Sequence, residues 1–500
     1  MGADRAVHLV LPADAQVLHI DPAPDIQSGA VNLLPGDDPA EQADAAKEAI
    51  LGGDIDLNTS PRRHAGSDSR DSASPIVIVG AGPVGLTLAC LLAADGETVT
   101  VLEARTEPDR RVRAIGVTPP SLDILDRIYD GFGAALSSLG CPVRRASVYG
   151  NARPLGTLAF SGIHPRYPYI LAVPQYHTEG LLRDAAAASA RIRLEYGVKV
   201  NDLKVDVSPR AANARVRLSC SGGEERRAEL VCLCTGKNAL AAGFGRRSAK
   251  RYRVRFLIGD YPEAGDRQSG ASGTACGGER EAQLYFSRDG SVEAFPLPDG
   301  VRRWIVQLPS HLRSSRLDTD LADTLLREAV LRRAGIVLPA RRPLWWSNFK
   351  PERSELKPFA SGPVMLAGDA AHTMSPIGGQ GMNTGIADAE LAADLIRLWR
   401  RGSLDEHARN ARYDRLRRRA ARVAASRAAA GMRTGIASGA LSAPSRDLLL
   451  RVLLGVLPDR LVARHFSMLT IPGGRSPYEA RLRSDAHDAL RHTVNSSTPK

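Results

Sequence analysis

The feature that most constrains this chain is a glycine-spaced turn set between an apolar run and a helix-like run. Ile76-Val77-Ile78-Val79 is short and wholly apolar, as a central parallel strand must be when both of its faces are covered. It leads into Gly80-Ala81-Gly82-Pro83-Val84-Gly85 and then Leu86 to Ala94, which Asp95-Gly96 ends. A second β-branched run, Thr98 to Leu102, closes at Glu103. Strand, glycine turn, helix, strand and acid make one βαβ unit with the full context of a dinucleotide fingerprint. Gly80 permits the tight turn, Gly82 lets the backbone approach a pyrophosphate, and Gly85 allows the helix close to the sheet. The helix start offers unpaired N–H groups and a positive dipole end to phosphates. Glu103, 18 residues after Gly85, is placed to accept hydrogen bonds from an adenosine ribose, and Pro83 and Ala104 flank these contacts. The motif implies an ADP-containing cofactor. It does not choose between FAD and NAD, which share this half-site.

Bulk properties narrow the class. Five hundred residues favour two or more domains, and 43% hydrophobic with 24% charged residues is an ordinary globular balance. No apolar run reaches the roughly 18 to 20 residues that span a bilayer. Met1 to Ile20 lacks the basic-then-apolar build of a secretory signal, so a cytoplasmic location is expected. Six cysteines are too few and scattered for a disulfide framework; Cys232-Leu233-Cys234 reads as core rather than a metal pair. The net charge is +12, yet residues 1–74 hold 13 Asp or Glu against 5 Lys or Arg. Much of the basic excess lies in Arg400 to Arg433, mixed with Ala and Leu as on a solvated helix face. No nucleic-acid reading module accompanies it, so no nucleic acid is expected; an anionic lipid surface or acidic partner is the alternative.

The expected fold class is α/β: a Rossmann-like FAD-binding domain with an inserted β-sheet substrate domain and a helical C-terminal tail. Residues 1–74 read as an acidic, flexible extension. The nucleotide domain is expected in three pieces, 75–140, 171–239 and 345–400, with the sheet domain at 141–170 and 240–344 and a helical region at 401–500. Trp304, Tyr285 and Phe295 are open to either a pocket or a core reading.

A second motif lies far down the chain. Pro363 to Leu366 is another buried strand, entering Ala367-Gly368-Asp369-Ala370-Ala371-His372, and Ser375-Pro376-Ile377-Gly378-Gly379-Gln380-Gly381-Met382-Asn383 opens a helix. A carboxylate at a strand end, Asp369, can bond ribityl hydroxyls. A glycine turn feeding a helix start can stabilise the anionic edge of a reduced flavin, with glycines letting backbone lie against a flat ring. With these residues the chain resembles the FAD-dependent aromatic hydroxylases, a family that includes para-hydroxybenzoate hydroxylase, over about Pro75 to Ser426. The resemblance implies FAD, with NADPH or NADH as cosubstrate. It implies that Pro376, Gly379, Gly381, Met382 and Asn383 surround the ring, that Arg113 marks the loop across which the flavin moves, and that Gln175 contacts the cofactor.

One segment departs from the family. Where the family has Asp-Gly with a following Ser, this chain has Thr235-Gly236-Lys237-Asn238-Ala239, which puts pyridine-nucleotide docking in doubt. The resemblance implies hydroxylation or epoxidation of an aromatic, polycyclic or prenylated substrate through a flavin C4a-hydroperoxide, with no separate catalytic triad. A lipophilic substrate and peripheral membrane contact would suit the leucine-rich Leu448 to Leu461, as would helix packing. A reductase or dehydrogenase, a halogenase supplied with reduced flavin, and a non-catalytic flavin-binding protein are the competing readings. Trp345-Trp346-Ser347 is not the Trp-x-Trp-x-Ile-Pro segment of the halogenases.

Overall fold

The computed structural model describes residues 74–108, 114–206, 215–237, 239–263, 281–308, 312, 317–376, 378–436 and 442–471. The acidic extension but for Ser74, and also Arg113 and Ile377, lie outside the described residues.

The opening strand, Ser74–Val79, sits between Glu225–Leu233 on one side and Val99–Glu103 on the other, both parallel to it. Beyond them, also parallel, lie Val364–Leu366 and Ile192–Tyr196. This position explains the wholly apolar opening run: Ile76, Val77 and Ile78 are covered on both faces, and each is at most 1% exposed. Helices Pro83–Ala94, Gln175–Ala188 and Gln380–Arg400 pack together against this sheet. The two motifs thus leave the C-terminal ends of parallel strands in one mixed sheet, where open α/β sheets bind ligands.

The second large sheet has seven strands, in the order Trp345–Phe349, Phe256–Pro262, Val301–Gln307, Gly290–Leu297, Glu281–Ser287, Arg145–Gly150 and Arg153–Ala159. One face is roofed by helix Thr319–Ala334, which Asp318 caps through the Leu321 amide at 2.8 Å and Gly335 ends in a left-handed turn. Leu257, Tyr261, Val292, Ala294, Trp304 and Val306 meet Leu326 and Val330 beneath this roof. Tyr285 lies in the same core, stacked on Tyr149 at 4.7 Å. For Trp304 and Tyr285 the pocket reading therefore fails, because strand alternation turns both toward the roof helix. The expected boundary at 345 also needs correction: Trp345–Phe349 pairs with Phe256–Pro262 and extends the inserted sheet.

The basic helix, Glu406–Ile436, is only partly the solvated face its composition suggests. Arg412, Arg415 and Arg419 are exposed. Arg409 and Arg417 are at most 1% exposed, and Arg418 and Arg422 both bond Glu355. The charge excess hides two interior clamps.

Candidate functional site

Two of the fingerprint glycines are required by the protein itself, and the third by the space it faces. Gly80 has φ +108°, and a Cβ there would sit 2.5 Å from the Cys234 carbonyl oxygen. A Cβ on Gly85 would fall 2.0 Å from the Gly80 carbonyl oxygen, so helix and turn touch backbone to backbone. A Cβ on Gly82 would meet nothing within 4 Å. Gly82 is also the N-cap of a helix that begins at Pro83 with no side-chain cap, which leaves its first N–H groups open. Glu103 stands beside this turn, accepting from the Ala81 amide at 2.7 Å and from the Arg105 amide and Nε at 3.0 Å. Burial alone would raise its carboxyl, but the hydrogen bonds from Arg105 and Ala81 hold it below the usual carboxylate range. Ala104 is exposed next to it. Thr235 adjoins Gly80, and its buried hydroxyl has no partner among the described residues.

The second motif is braced from behind. Gly368 has φ +63°, Gly378 +81° and Gly379 +63°, all left-handed, and helix Gln380–Arg400 starts at Gly379 without a side-chain cap. Pro376 and Gly378 are exposed, Asp369 and Met382 half-buried, so the turn presents itself outward. Asp388 is fully buried on that helix and gathers three partners: His372 Nε2 at 2.6 Å, the Gly368 amide at 2.9 Å and Arg417 Nε at 2.5 Å. His372 is thereby a bracing residue, bonded away from the turn's outward side.

The two motifs are pressed together. Cβ atoms on Gly385 and Gly368 would lie 2.5 Å and 3.0 Å from Val84 Cγ2, so the fingerprint helix seats its valine into a notch of two glycines. Gln175 and Asn383 act as ties. Gln175 accepts from the Ala114 amide at 3.1 Å and donates to Glu179 at 2.8 Å. Asn383 accepts from the Thr118 amide at 2.9 Å and donates to the Gly116 and Gly379 carbonyls at 2.9 Å and 2.6 Å. Its amide, expected to line a ring, is committed to protein at both ends. Arg417, Val84 and Gly385 carry much of this geometry and escaped the sequence reading; the only local signal was the small-residue spacing Gly381-x-x-x-Gly385.

The unroofed face of the inserted sheet holds a buried ion pair: Arg303 donates through Nε and a terminal nitrogen to both Asp260 oxygens at 2.7 Å. Arg303 also lies over the Trp345 ring at 4.9 Å. Among the described residues no His, Cys, Asp and Glu cluster is arranged to hold a metal. No described helix is long and apolar enough to cross a membrane.

Comparison with known proteins bears on the family and the fold. The model of the family described as "FAD binding domain" matches residues 73–428. The chain is 30% identical over 342 residues to a rifampicin monooxygenase of Streptomyces venezuelae, covering 66% of this chain and 67% of that protein. It is also 30% identical to 6-methylpretetramide 4-monooxygenase of Streptomyces rimosus, over 64% of this chain and 56% of that one. The match thus spans between about half and two thirds of these relatives' length. Among solved structures, p-nitrophenol 4-monooxygenase of Pseudomonas putida superposes with a TM-score of 0.67 at 20% identity, covering 79% of this chain and 97% of that one. A Diels–Alderase of pyrroindomycin biosynthesis superposes at 0.63 with 24% identity, over 79% and 76% of the two chains. Both likenesses bear on the fold alone.

Proposed function

The chain belongs to the FAD-dependent aromatic hydroxylase family, and on that premise we propose that it is a monooxygenase using FAD, NAD(P)H and O2 to hydroxylate or epoxidise an aromatic or polycyclic small molecule. The observation that carries the reading is the Val84 notch. It brings an uncapped helix start suited to pyrophosphate and an uncapped helix start suited to a flavin edge against one another, as one extended cofactor requires. The open space at Gly82 and the orphaned Thr235 hydroxyl also fit a bound group. When bound, FAD would supply the hydride acceptance and oxygen activation that side chains cannot.

The chain's own residues supply position and electrostatics. Gly82 and the amides after Pro83 would hold the pyrophosphate, and Glu103, already ionised, would offer its remaining lone pairs to the ribose. Asp369 would take the ribityl hydroxyls, while Gly379, Gly381 and Met382 would border the flavin and offer it the helix's positive end. Arg113 and Pro376 are assigned to the cofactor on family grounds, and Pro83 and Ala104 by their place beside the fingerprint contacts. Asn383 and Gln175 fix the segments that carry these contacts. The substrate lies between the second motif and the unroofed sheet face, and the chain works in the cytoplasm.

The Diels–Alderase of like fold is a reminder that the architecture alone does not dictate oxidation. The test is anaerobic titration of the yellow holoprotein with NADPH and NADH, with and without phenols, followed by readmission of oxygen. Bleaching by either nucleotide and oxygenated product on readmission is the expected outcome. A flavin that bleaches but yields only peroxide would make the protein a reductase or oxidase. A flavin that neither nucleotide bleaches, even with phenols present, would overturn the self-sufficient monooxygenase.

A further inference from the structure

Glu293 is 7% exposed in the middle of strand Gly290–Leu297, near the centre of the inserted sheet. No described residue gives it a hydrogen bond or an ion pair. A carboxyl so placed destabilises the fold, and nothing in the sheet compensates for it. Burial alone pushes it up to about 7.

Its direction follows from register. Val292 and Ala294 on either side pack under the roof helix, so Glu293 points to the opposite face. There its cross-strand neighbours are Leu284 and Ile305, both only half-buried, whereas Val292, Ala294 and Val306 on the roofed face are fully buried. Around Glu293 the unroofed face is thus less closely covered than the roofed one, although further along it packs against a second core. This face turns toward the second motif. Phe295, two residues along on the same face, packs into the cluster that takes in Ile115 and Ile170, and its strand contacts Ile170–Ala172. Strand Gly116–Val117 pairs with Ile170–Ala172 and is tied by Asn383 to the turn at Gly379.

We propose that Glu293 is the specificity-determining residue of the substrate site, accepting a hydrogen bond from a neutral hydroxyl on the aromatic substrate. The inference rests on the monooxygenase reading and names its substrate class: phenols rather than aromatic carboxylates. A substrate carboxylate would meet Glu293 with like charge. The buried cation on that face, Arg303, is already engaged by both oxygens of Asp260. A phenolic hydroxyl supplies the donor that Glu293 lacks and leaves the ring electron-rich.

The test uses FAD-loaded protein at about pH 8, where Glu293 is ionised and 2-naphthol is not. Binding of 2-naphthol, 2-methoxynaphthalene and 2-naphthoate is followed through the flavin absorption band. The wild-type protein should bind the naphthol about tenfold or more tightly than its methyl ether, and the naphthoate weakest, as expected for a hydrogen bond to a charged acceptor. In Glu293→Leu the naphthol preference should fall to within about twofold while FAD stays bound, and in Glu293→Gln the naphthoate should gain. The leucine variant should also unfold at a higher temperature, since it replaces an unpartnered buried carboxyl with an apolar group of similar size. A naphthol preference that survives in Glu293→Leu, or naphthoate binding as tight as naphthol in the wild type, would overturn the assignment and leave the monooxygenase reading standing. A flavin band that ignores all three probes would remove the aromatic-substrate reading, and this inference with it.

Discussion

The two glycine turns that frame the candidate cofactor site look alike in sequence and are held in opposite ways. The turn at Gly80–Gly85 is shaped by backbone contact: the Cys234 and Gly80 carbonyls leave no room for a side chain at two of its three glycines. The turn at Gly368–Gly379 is braced by charge, with Asp388 fixing the Gly368 amide and held in turn by His372 and Arg417 from another helix. A backbone-shaped turn owes its glycines to main-chain contact, and charge reaches it only where Glu103 accepts from the Ala81 amide. A charge-braced turn depends on residues tens of positions away and on their ionisation.

The sharpest way to test the backbone half is to add the same methyl group at two of its glycines. Gly85→Ala drives a Cβ into the Gly80 carbonyl oxygen and should cost about 3 kcal/mol or more, with loss of both fold and FAD. Gly82→Ala meets no protein atom within 4 Å and should leave the FAD-free protein within about 0.5 kcal/mol of wild type. Its FAD affinity should nonetheless drop by about tenfold or more, since the methyl occupies the space left for the pyrophosphate. Urea unfolding of the apoprotein and FAD titration separate the two. Equal destabilisation by both substitutions would end the claim that these glycines answer to different partners.

The charge-braced half should break next hardest. Asp388→Asn leaves Arg417 buried without its counter-charge and should cost about 3–5 kcal/mol at neutral pH. Burial would raise the Asp388 carboxyl, but His372, Arg417 and the Gly368 amide hold it below its ordinary 3.8. The folded-state value is thus depressed, so the carboxylate's contribution is complete above the unfolded value and is lost as pH falls through the folded one. The gap in unfolding free energy between wild type and Asp388→Asn should stay level down to about pH 4 and close only below it. A gap that closes between pH 7 and 5 would show that another group carries the bracing.

This contrast also explains what the sequence could disclose. Fingerprint and second motif were legible because both turns use glycine at fixed spacing beside an apolar strand, and both patterns are local. Arg417 was not legible: among so many arginines of one helix, nothing local marks the one that turns inward to Asp388. Nor was the edge of the inserted sheet, since Trp345–Phe349 carries no feature that separates a strand of one sheet from the next. Trp304 and Phe295 read alike as strand aromatics, and only the tertiary structure shows that Trp304 packs under the roof helix and Phe295 against a second core on the other face.

Thr235 offers the finest test, because it brings a side chain to the backbone-shaped turn. It stands beside Gly80, at the position where the family has an aspartate, and its buried hydroxyl lacks a partner among the described residues. Thr235→Val keeps the shape and removes the orphan, so the FAD-free protein should change by no more than about 1 kcal/mol, toward greater stability. If the hydroxyl serves the cofactor, the same substitution should weaken FAD binding several-fold, and isothermal titration would show the loss. Unchanged FAD affinity would make Thr235 a tolerated remnant and leave the pyrophosphate end of the site wholly to backbone. A loss of affinity would instead give the backbone-shaped turn one side-chain contact of its own, narrowing its difference from the charge-braced one.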